Sequence, residues 1–322
     1  MSEDSKKEIL AGLDRPLRIG TRQSPLAMAQ ARMTANALLS THGWRPEQVE
    51  LVPMVASGDK ILDRPLAEVG GKALWTKELD HALGNDEIDC SVHSMKDVET
   101  LRPEQFILAA MLERANTHDR LIGADSIAEL PEGAIVGTAS PRRKAQLLRQ
   151  RPDLDIRLIR GNVQTRLQKI DDGDYDATLL AAAGLDRLDM TDVGIEISDE
   201  IMLPAPAQGA VGIEARADDR HVRHLLRGIS STGTFRAVIA ERLFLKRLTA
   251  DCHSPVAALA TIDGAKAHLR AEILLPDGSE FVAGSSHFDI GDVSAPTILA
   301  ETLLGQASAE LRAIFGQGPG RC

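Results

Sequence analysis

Cysteine is scarce in this sequence, basic charge is in deficit, and no long apolar run occurs along its 322 residues. The three cysteines, Cys90, Cys252 and Cys322, stand far apart with no C-x-x-C pair. That argues against a disulfide framework and a thiolate metal site, and it matches a reducing compartment such as the cytoplasm. Nowhere do about 18 uncharged apolar residues follow one another, so no membrane span is expected. The polar start from Met1 to Pro16 lacks the apolar centre of an export signal. A formal net charge of -10 repels a nucleic-acid backbone unless basic residues gather on one face. The stretch from Arg142 to Lys169 is the candidate for such a face, and the overall charge makes a nucleic-acid partner the weakest reading.

What is present is ordinary globular material, with 43% hydrophobic and 26% charged residues, in a chain long enough for two or three domains. Leu17 to Gly20 reads as a strand, and Ser24-Pro25 opens a helix to about Leu39, serine serving as N-cap and proline as first-turn residue. An apolar run from Val49 to Val55 precedes Ala56 to Lys72, a glycine-containing stretch without clean period that reads as a lid loop over 56–72. A helix from Leu74 to Leu83 and a strand from Ile88 to Ser94 follow. The same grammar returns later in the chain. Strand Ala134 to Gly137 runs into Ser140-Pro141 and a helix to about Arg151, then strand Ile156 to Arg160, helix Val163 to Ile170 and strand Ala177 to Ala181. Strands alternating with helices predict parallel, doubly wound sheets, and the two similar openings predict two similar halves. Leu203 to Gly209, rich in proline, glycine and alanine, reads as a crossing segment. Beyond it, a helix from Phe235 to Leu248, strands at Ala258 to Ile262 and His268 to Leu275, and one last helix from Ala295 to Phe315 predict a small α+β domain.

Ligands of open α/β sheets bind beyond the carboxyl ends of strands, and cationic and hydroxyl side chains crowd those positions. Arg22, Ser24, Ser94, Lys96, Thr138, Ser140, Arg142, Arg143, Arg160 and Arg166 all follow expected strands or open the next helix. Helix N-termini and guanidinium forks suit carboxylates, so a ligand with several carboxylates is expected. Asp97 is the prominent carboxylate among these cations, able to accept a hydrogen bond from a ligand N–H and to stabilise developing positive charge. His93 reads as a packed strand histidine, with a proton-donor role as the alternative. Cys90 reads as a small buried hydrophobe. Cys252 falls in a turn-like loop, Ala250-Asp251-Cys252-His253-Ser254-Pro255, where an exposed thiol could react, although no cysteine-protease signature accompanies it.

Five longer motifs carry a resemblance. Arg18 to Leu26, Val69-Gly70-Gly71-Lys72, His93 to Val98, Arg160-Gly161-Asn162-Val163 with Arg166, and Gln208 to Glu214 resemble the porphobilinogen deaminase (hydroxymethylbilane synthase) family, from Leu17 to at least Pro255. The resemblance implies a transferase that joins four porphobilinogen molecules head to tail into hydroxymethylbilane. It implies a dipyrromethane cofactor attached through Cys252, loss of ammonia from each incoming substrate to give an azafulvene, and hydrolytic release of the finished tetrapyrrole. Carried over position by position, Asp97, Arg22 and Lys96 match catalytic groups. Ser94, Thr138, Ser140, Arg142, Arg143 and Gly161 match the cofactor's surroundings together with Asp97 and Lys96. Ser24, Arg160, Arg166, Gln208 and Trp75 match substrate contacts along with Arg22. No metal is implied, and family members are usually monomers.

The fold class expected is α/β: two similar doubly wound lobes of the periplasmic-binding-protein kind with a cleft between them, plus a small C-terminal α+β domain. The expected domains are 1–113 with 211–230, then 117–204, then 233–322. Departures from the family pattern are Ala250-Asp251 where two glycines are common, His253 for glutamine, Trp75 for phenylalanine and Glu68 for lysine. Asp251 is expected to raise the Cys252 thiol's pKa by like-charge repulsion. The alternative reading is a non-catalytic two-lobe module that binds a carboxylate.

Overall fold

The computed structural model describes residues 15–55, 76–251 and 253–315. Its strands begin with β1 (Leu17–Arg22), β2 (Val49–Met54), β3 (Cys90–Ser94) and β4 (Phe106–Met111). Next come β5 (Asp119–Ile122), β6 (Ile135–Gly137), β7 (Asp155–Arg157), β8 (Ala177–Ala181), β9 (Ile195–Ile197) and β10 (Val211–Arg216). The last three are β11 (Val256–Asp263), β12 (Lys266–Leu274) and β13 (Phe281–Asp289). The helices are α1 (Pro25–His42), α2 (Lys77–Gly84), α3 (Pro141–Gln150), α4 (Val163–Asp171), α5 (Ala182–Asp186) and α6 (Arg220–Arg227). They end with α7 (Thr232–Leu248), α8 (Ala295–Gln306) and α9 (Ala309–Ile314).

The chain forms two compact units. The first holds the sheet β2-β1-β3-β10-β4, in which β1 pairs parallel with β2 and β3 while β10 pairs antiparallel with β3 and β4. The second holds the sheet β7-β6-β8-β5-β9, where β6 pairs parallel with β7 and β8, and β5 pairs antiparallel with β8 and β9. The two sheets therefore share one strand order and one pattern of directions. They correct the expectation of parallel sheets: both are mixed. The physical reason is connectivity, because the chain passes between units at Arg114/Ala115 and at Gly209/Ala210. The strand that follows each passage, β5 or β10, arrives without a helical crossover and so has no need to lie parallel to its neighbours.

Local signals explain the junctions. Ser24 caps α1 by accepting from Ala27 N at 3.3 Å, Pro25 fills the first turn, and Gly43 at φ 66° closes the helix three residues beyond the expected end. Ser140 caps α3 in the same way, accepting from Arg143 N, with Pro141 behind it. Leu17 and Ile19 of β1, Ala31 and Leu38 of α1, and Val211 and Ile213 of β10 build the first core. Val136, Leu147 and Leu179 do so under the second sheet. Each fully buried side chain of this size contributes about 1.5–3 kcal/mol.

The second unit also contains the antiparallel sheet β11-β12-β13. Phe244 of α7, Leu269 and Ile273 of β12, and Leu299 and Leu303 of α8 close its core. The single last helix expected from Ala295 to Phe315 is two helices: Ala307 leaves helical geometry, and Ser308 caps α9 by accepting from Leu311 N at 3.1 Å. β7 stops at Arg157 rather than Arg160, which puts Leu158 to Arg160 in a loop.

Candidate functional site

In the first unit, β1 and β3 lie side by side, with Ile19 opposite Cys90, and end at Arg22 and Ser94. Beyond β3 the chain turns through a short 3-10 segment, Met95–Asp97. A pocket opens at these two carboxyl ends, lined by Arg22, Ser24, Gln30, His93, Ser94 and Asp97 together with apolar groups such as Val92 and Val98. Buried Gln30 fixes the Ser94 hydroxyl, with its amide nitrogen 2.8 Å and its amide oxygen 3.2 Å from Oγ. Asp97 is half-buried and makes no hydrogen bond or ion pair with any described residue. Lys96 is its half-buried neighbour on the same turn.

Behind the pocket lies a charged network that the sequence reading did not assemble. His93 Nε2 sits 2.8 Å from Ser91 Oγ and 3.3 Å from Glu214 Oε2. Arg102 donates to both Glu214 oxygens at 2.9 Å, and also reaches Glu99 at 2.8 Å and Asp80 at 2.5 Å. Burial works to raise the Glu214 carboxyl, but His93 and Arg102 outweigh it and hold the group at about 2.

In the second unit, Thr138 and Ser140 stand just past β6. Ser140 N donates to Thr138 Oγ1 at 3.1 Å. Arg142 and Arg143 are both buried, and both guanidinium groups turn to Asp119, at 2.8 Å and 2.7 Å. Arg142 also donates to Gln146 Oε1 and to Leu203 O, and Arg143 to Leu179 O. Gln208 Nε2 donates to Asp119 Oδ1 at 2.8 Å and to Thr117 O at 2.7 Å. Burial pushes the Asp119 carboxyl up, and the two arginines overcome it, holding it far below the usual carboxylate range. The signal that could have revealed Asp119 is the adjacent pair of arginines itself: two buried cations demand a buried anion.

Arg160 is placed differently. Its Nε is buried without a hydrogen-bond partner, and burial alone lowers its pKa, with no carboxylate opposing the effect. Gly161 next to it has φ 114°, and a Cβ there would lie 2.6 Å from Thr165 Cγ2, so the turn requires glycine. The Gly161 carbonyl accepts from Arg166 Nε at 3.0 Å, while Asn162 caps α4 by accepting from Thr165 N at 2.9 Å. A cation with an open donor beside a strained glycine turn fits an acidic ligand.

Cys252, Trp75, and the loop 56–72 with Glu68 and Gly70-Gly71 lie outside the described residues. Beside Cys252, Asp251 Oδ1 accepts from His253 N at 2.8 Å and from Ser254 Oγ at 3.3 Å. Cys90 is fully buried, and desolvation, followed by the Asp89 charge, pushes its thiol pKa up.

The family models described as "Porphobilinogen deaminase, dipyromethane cofactor binding domain" and "Porphobilinogen deaminase, C-terminal domain" match residues 17–224 and 235–304. The chain belongs to the porphobilinogen deaminase family. The porphobilinogen deaminase of Sphingopyxis alaskensis is 55% identical over 313 residues, 95% of this chain and 98% of the relative. That of Paracoccus denitrificans is 48% identical over 300 residues, 92% and 96% of the two chains. Among solved structures, an arginine-specific periplasmic binding protein of Salmonella typhimurium superposes with a TM-score of 0.40 at 13% identity, covering 67% of this chain and 91% of its own. Family membership sets aside the non-catalytic binding module.

Two stability outcomes follow. Asp119→Asn keeps the shape but strands two buried guanidinium groups, and should cost about 3–5 kcal/mol in urea unfolding at unchanged slope; a loss below about 1 kcal/mol would show that the cluster is not structural. Glu214 is depressed from an unfolded value of about 4.3 to about 2. Its contribution is therefore complete above about pH 5 and is lost as pH falls towards 2, amounting to about 3 kcal/mol. Unfolding free energy that stays flat from pH 5 to pH 2 would contradict this.

Proposed function

We propose that this chain polymerises porphobilinogen into hydroxymethylbilane on a dipyrromethane primer attached through Cys252, using Asp97 as its central catalytic carboxylate. As a member of its family, the chain is a transferase of tetrapyrrole biosynthesis, and its first matched region is a dipyrromethane-binding domain. The observation that carries the reading is the state of Asp97. The buried carboxylates Asp89, Asp119 and Glu214 are each matched by arginine, whereas Asp97 faces a pocket with its charge uncommitted.

Bound dipyrromethane supplies a pyrrole with a free α-carbon, the nucleophile onto which each unit adds. Asp97 accepts a pyrrole N–H and stabilises the positive charge that develops on a ring as ammonia leaves, an electrostatic role aimed at the transition state. Arg22 and Lys96 assist from the same strand ends. Ser94, Thr138, Ser140 and Gly161 hold the cofactor's acidic side chains. Arg142 and Arg143, whose guanidinium groups are engaged by Asp119, act on the cofactor's surroundings as buried positive charge behind the Ser140 turn. Ser24, Arg160, Arg166, Gln208 and Trp75 take up the substrate's, and the open Nε of Arg160 is the donor best placed by chemistry to meet a carboxylate.

The proposal extends to a cytoplasmic monomer of three domains, 1–113 with 211–230, 117–204 and 233–322, with no nucleic-acid or membrane partner. Three separate sheets, a net charge of -10, and the lack of any helix long and apolar enough to cross a membrane among the described residues support it. Asp97→Ala should lower turnover of porphobilinogen by at least about 10²–10³-fold while leaving the urea midpoint in place. Near-normal turnover in that variant removes Asp97 from the mechanism.

A further inference from the structure

Every N–H of one guanidinium is engaged in the network behind the pocket, and most of the groups it meets border the site. Arg102 donates through Nε and one terminal nitrogen to the two oxygens of Glu214 of β10, each at 2.9 Å. That terminal nitrogen also donates to Asp80 of α2 at 2.5 Å. The other donates to Glu99 at 2.8 Å and to Thr76 Oγ1 at 3.2 Å. These five bonds use all five donors that an arginine has. Burial works against the charge, and Glu214 followed by Asp80 outweighs it and raises the pKa, so the clamp is permanent rather than switched by pH.

A counter-ion for buried Glu214 needs only two of these donors. The other three reach residues around the site: Thr76 lines the pocket, Asp80 lies in the first turn of the helix that Thr76 opens, and Glu99 stands two positions after Asp97. Arg102 itself does not line the pocket. The turn that carries Asp97 depends on such an anchor. It is one short 3-10 segment, closed by Val98 N donating to Met95 O at 3.3 Å, and no strand or helix follows it before β4 at Phe106. Its start is fixed by Gln30 on Ser94, by burial of Met95, and by Met95 N donating to Ala210 O at 3.1 Å. Its end is held through Glu99, whose carboxylate accepts from Arg102 and from Thr76 Oγ1 at 3.2 Å.

We propose that Arg102 is a positioning residue for the reaction: by clamping Glu99 and Thr76 to β10 and α2, it holds the Asp97 carboxylate where positive charge develops. The inference rests on the pyrrole-polymerising reading and adds to it a residue that acts without touching substrate. Because Asp97 serves the transition state, displacing it costs turnover more than substrate binding.

Arg102→Lys keeps a cation beside Glu214, but a single ammonium cannot span four partners. It should lower kcat for porphobilinogen about tenfold or more, with KM changed less than about threefold. In an Asp97→Ala background the same substitution should change residual turnover less than about twofold, since a residue that acts through Asp97 then has nothing left to position. Amide hydrogen exchange of the purified full chain gives a readout independent of turnover. The Val98 amide should exchange about tenfold faster or more in Arg102→Lys, with the β1 amides unchanged. Glu99→Ala, which removes a part-exposed side chain, should reproduce both the kcat loss and the faster Val98 exchange, and it carries the test if Arg102→Lys does not fold. Equal losses of turnover with and without Asp97, a rise in KM in place of a fall in kcat, or wild-type Val98 exchange in both variants overturns the inference. If the wild type does not turn over porphobilinogen at all, the functional reading has failed instead, and the exchange result still decides whether Arg102 holds the turn.

Discussion

A carboxylate taken out of water must be matched by positive charge or by several donors, and that constraint organises both units of this chain. In the first, Asp89 accepts from Arg15 at 2.6 Å and Arg18 N at 2.8 Å, tying β1 to the entry of β3, while Glu214 ties β10 to Arg102 and His93. In the second, Asp119 at the start of β5 gathers Arg142, Arg143 and Gln208, joining α3 to the crossing segment. Glu272 of β12 accepts from Gln146 and from Arg149, the latter at 2.7 Å, and Glu241 of α7 accepts from the backbone of Ala207 and Ala260. Those contacts bind the C-terminal sheet into the second unit. Hydrophobic burial supplies the larger share of stability, but it has no direction; the matched carboxylates determine which residue meets which.

Against that background the unmatched groups acquire meaning. Asp97 keeps its charge free at the mouth of a pocket, and Arg160 keeps a buried donor open beside a glycine turn. One is suited to charge that develops on a pyrrole ring, the other to acidic side chains that are present throughout. The cost of leaving them unmatched is borne by the rigid network beneath: Gln30 on Ser94, Ser91 and Glu214 on His93, and the capped helices that follow each strand. A scaffold of this kind holds donors in place before the reaction and requires little reorganisation during it.

The junctions of the fold were legible because they are written in local chemistry. Ser24-Pro25 and Ser140-Pro141 are capped helix starts in sequence and in structure, and the strand Ala177 to Ala181 is apolar enough to be read to its exact bounds. β5 and β10 were not legible, since each carries a charged residue, Asp119 or Glu214, at a position that hydropathy assigns to solvent. A buried ion pair erases the pattern that marks a buried strand, and its partner lies many residues away. β13 was missed for the opposite reason: its polar residues Ser285, Ser286 and His287 belong to an edge strand with one face towards water. At the site, the family and its pyrrole-joining reaction were readable through the long motifs. That Arg142 and Arg143 share one buried counter-ion was not, because nothing near Asp119 in the sequence distinguishes it from an exposed loop aspartate.

We propose that an acidic oligopyrrole is tethered to sulfur and steadied by cationic side chains beside a lone carboxylate. The most direct test is the intact mass of the purified chain from cells with a normal porphobilinogen supply, compared with Cys252→Ser. The expected result is a mass above the bare polypeptide by two pyrrole units in the wild type only. A wild-type mass equal to the unmodified polypeptide would contradict it.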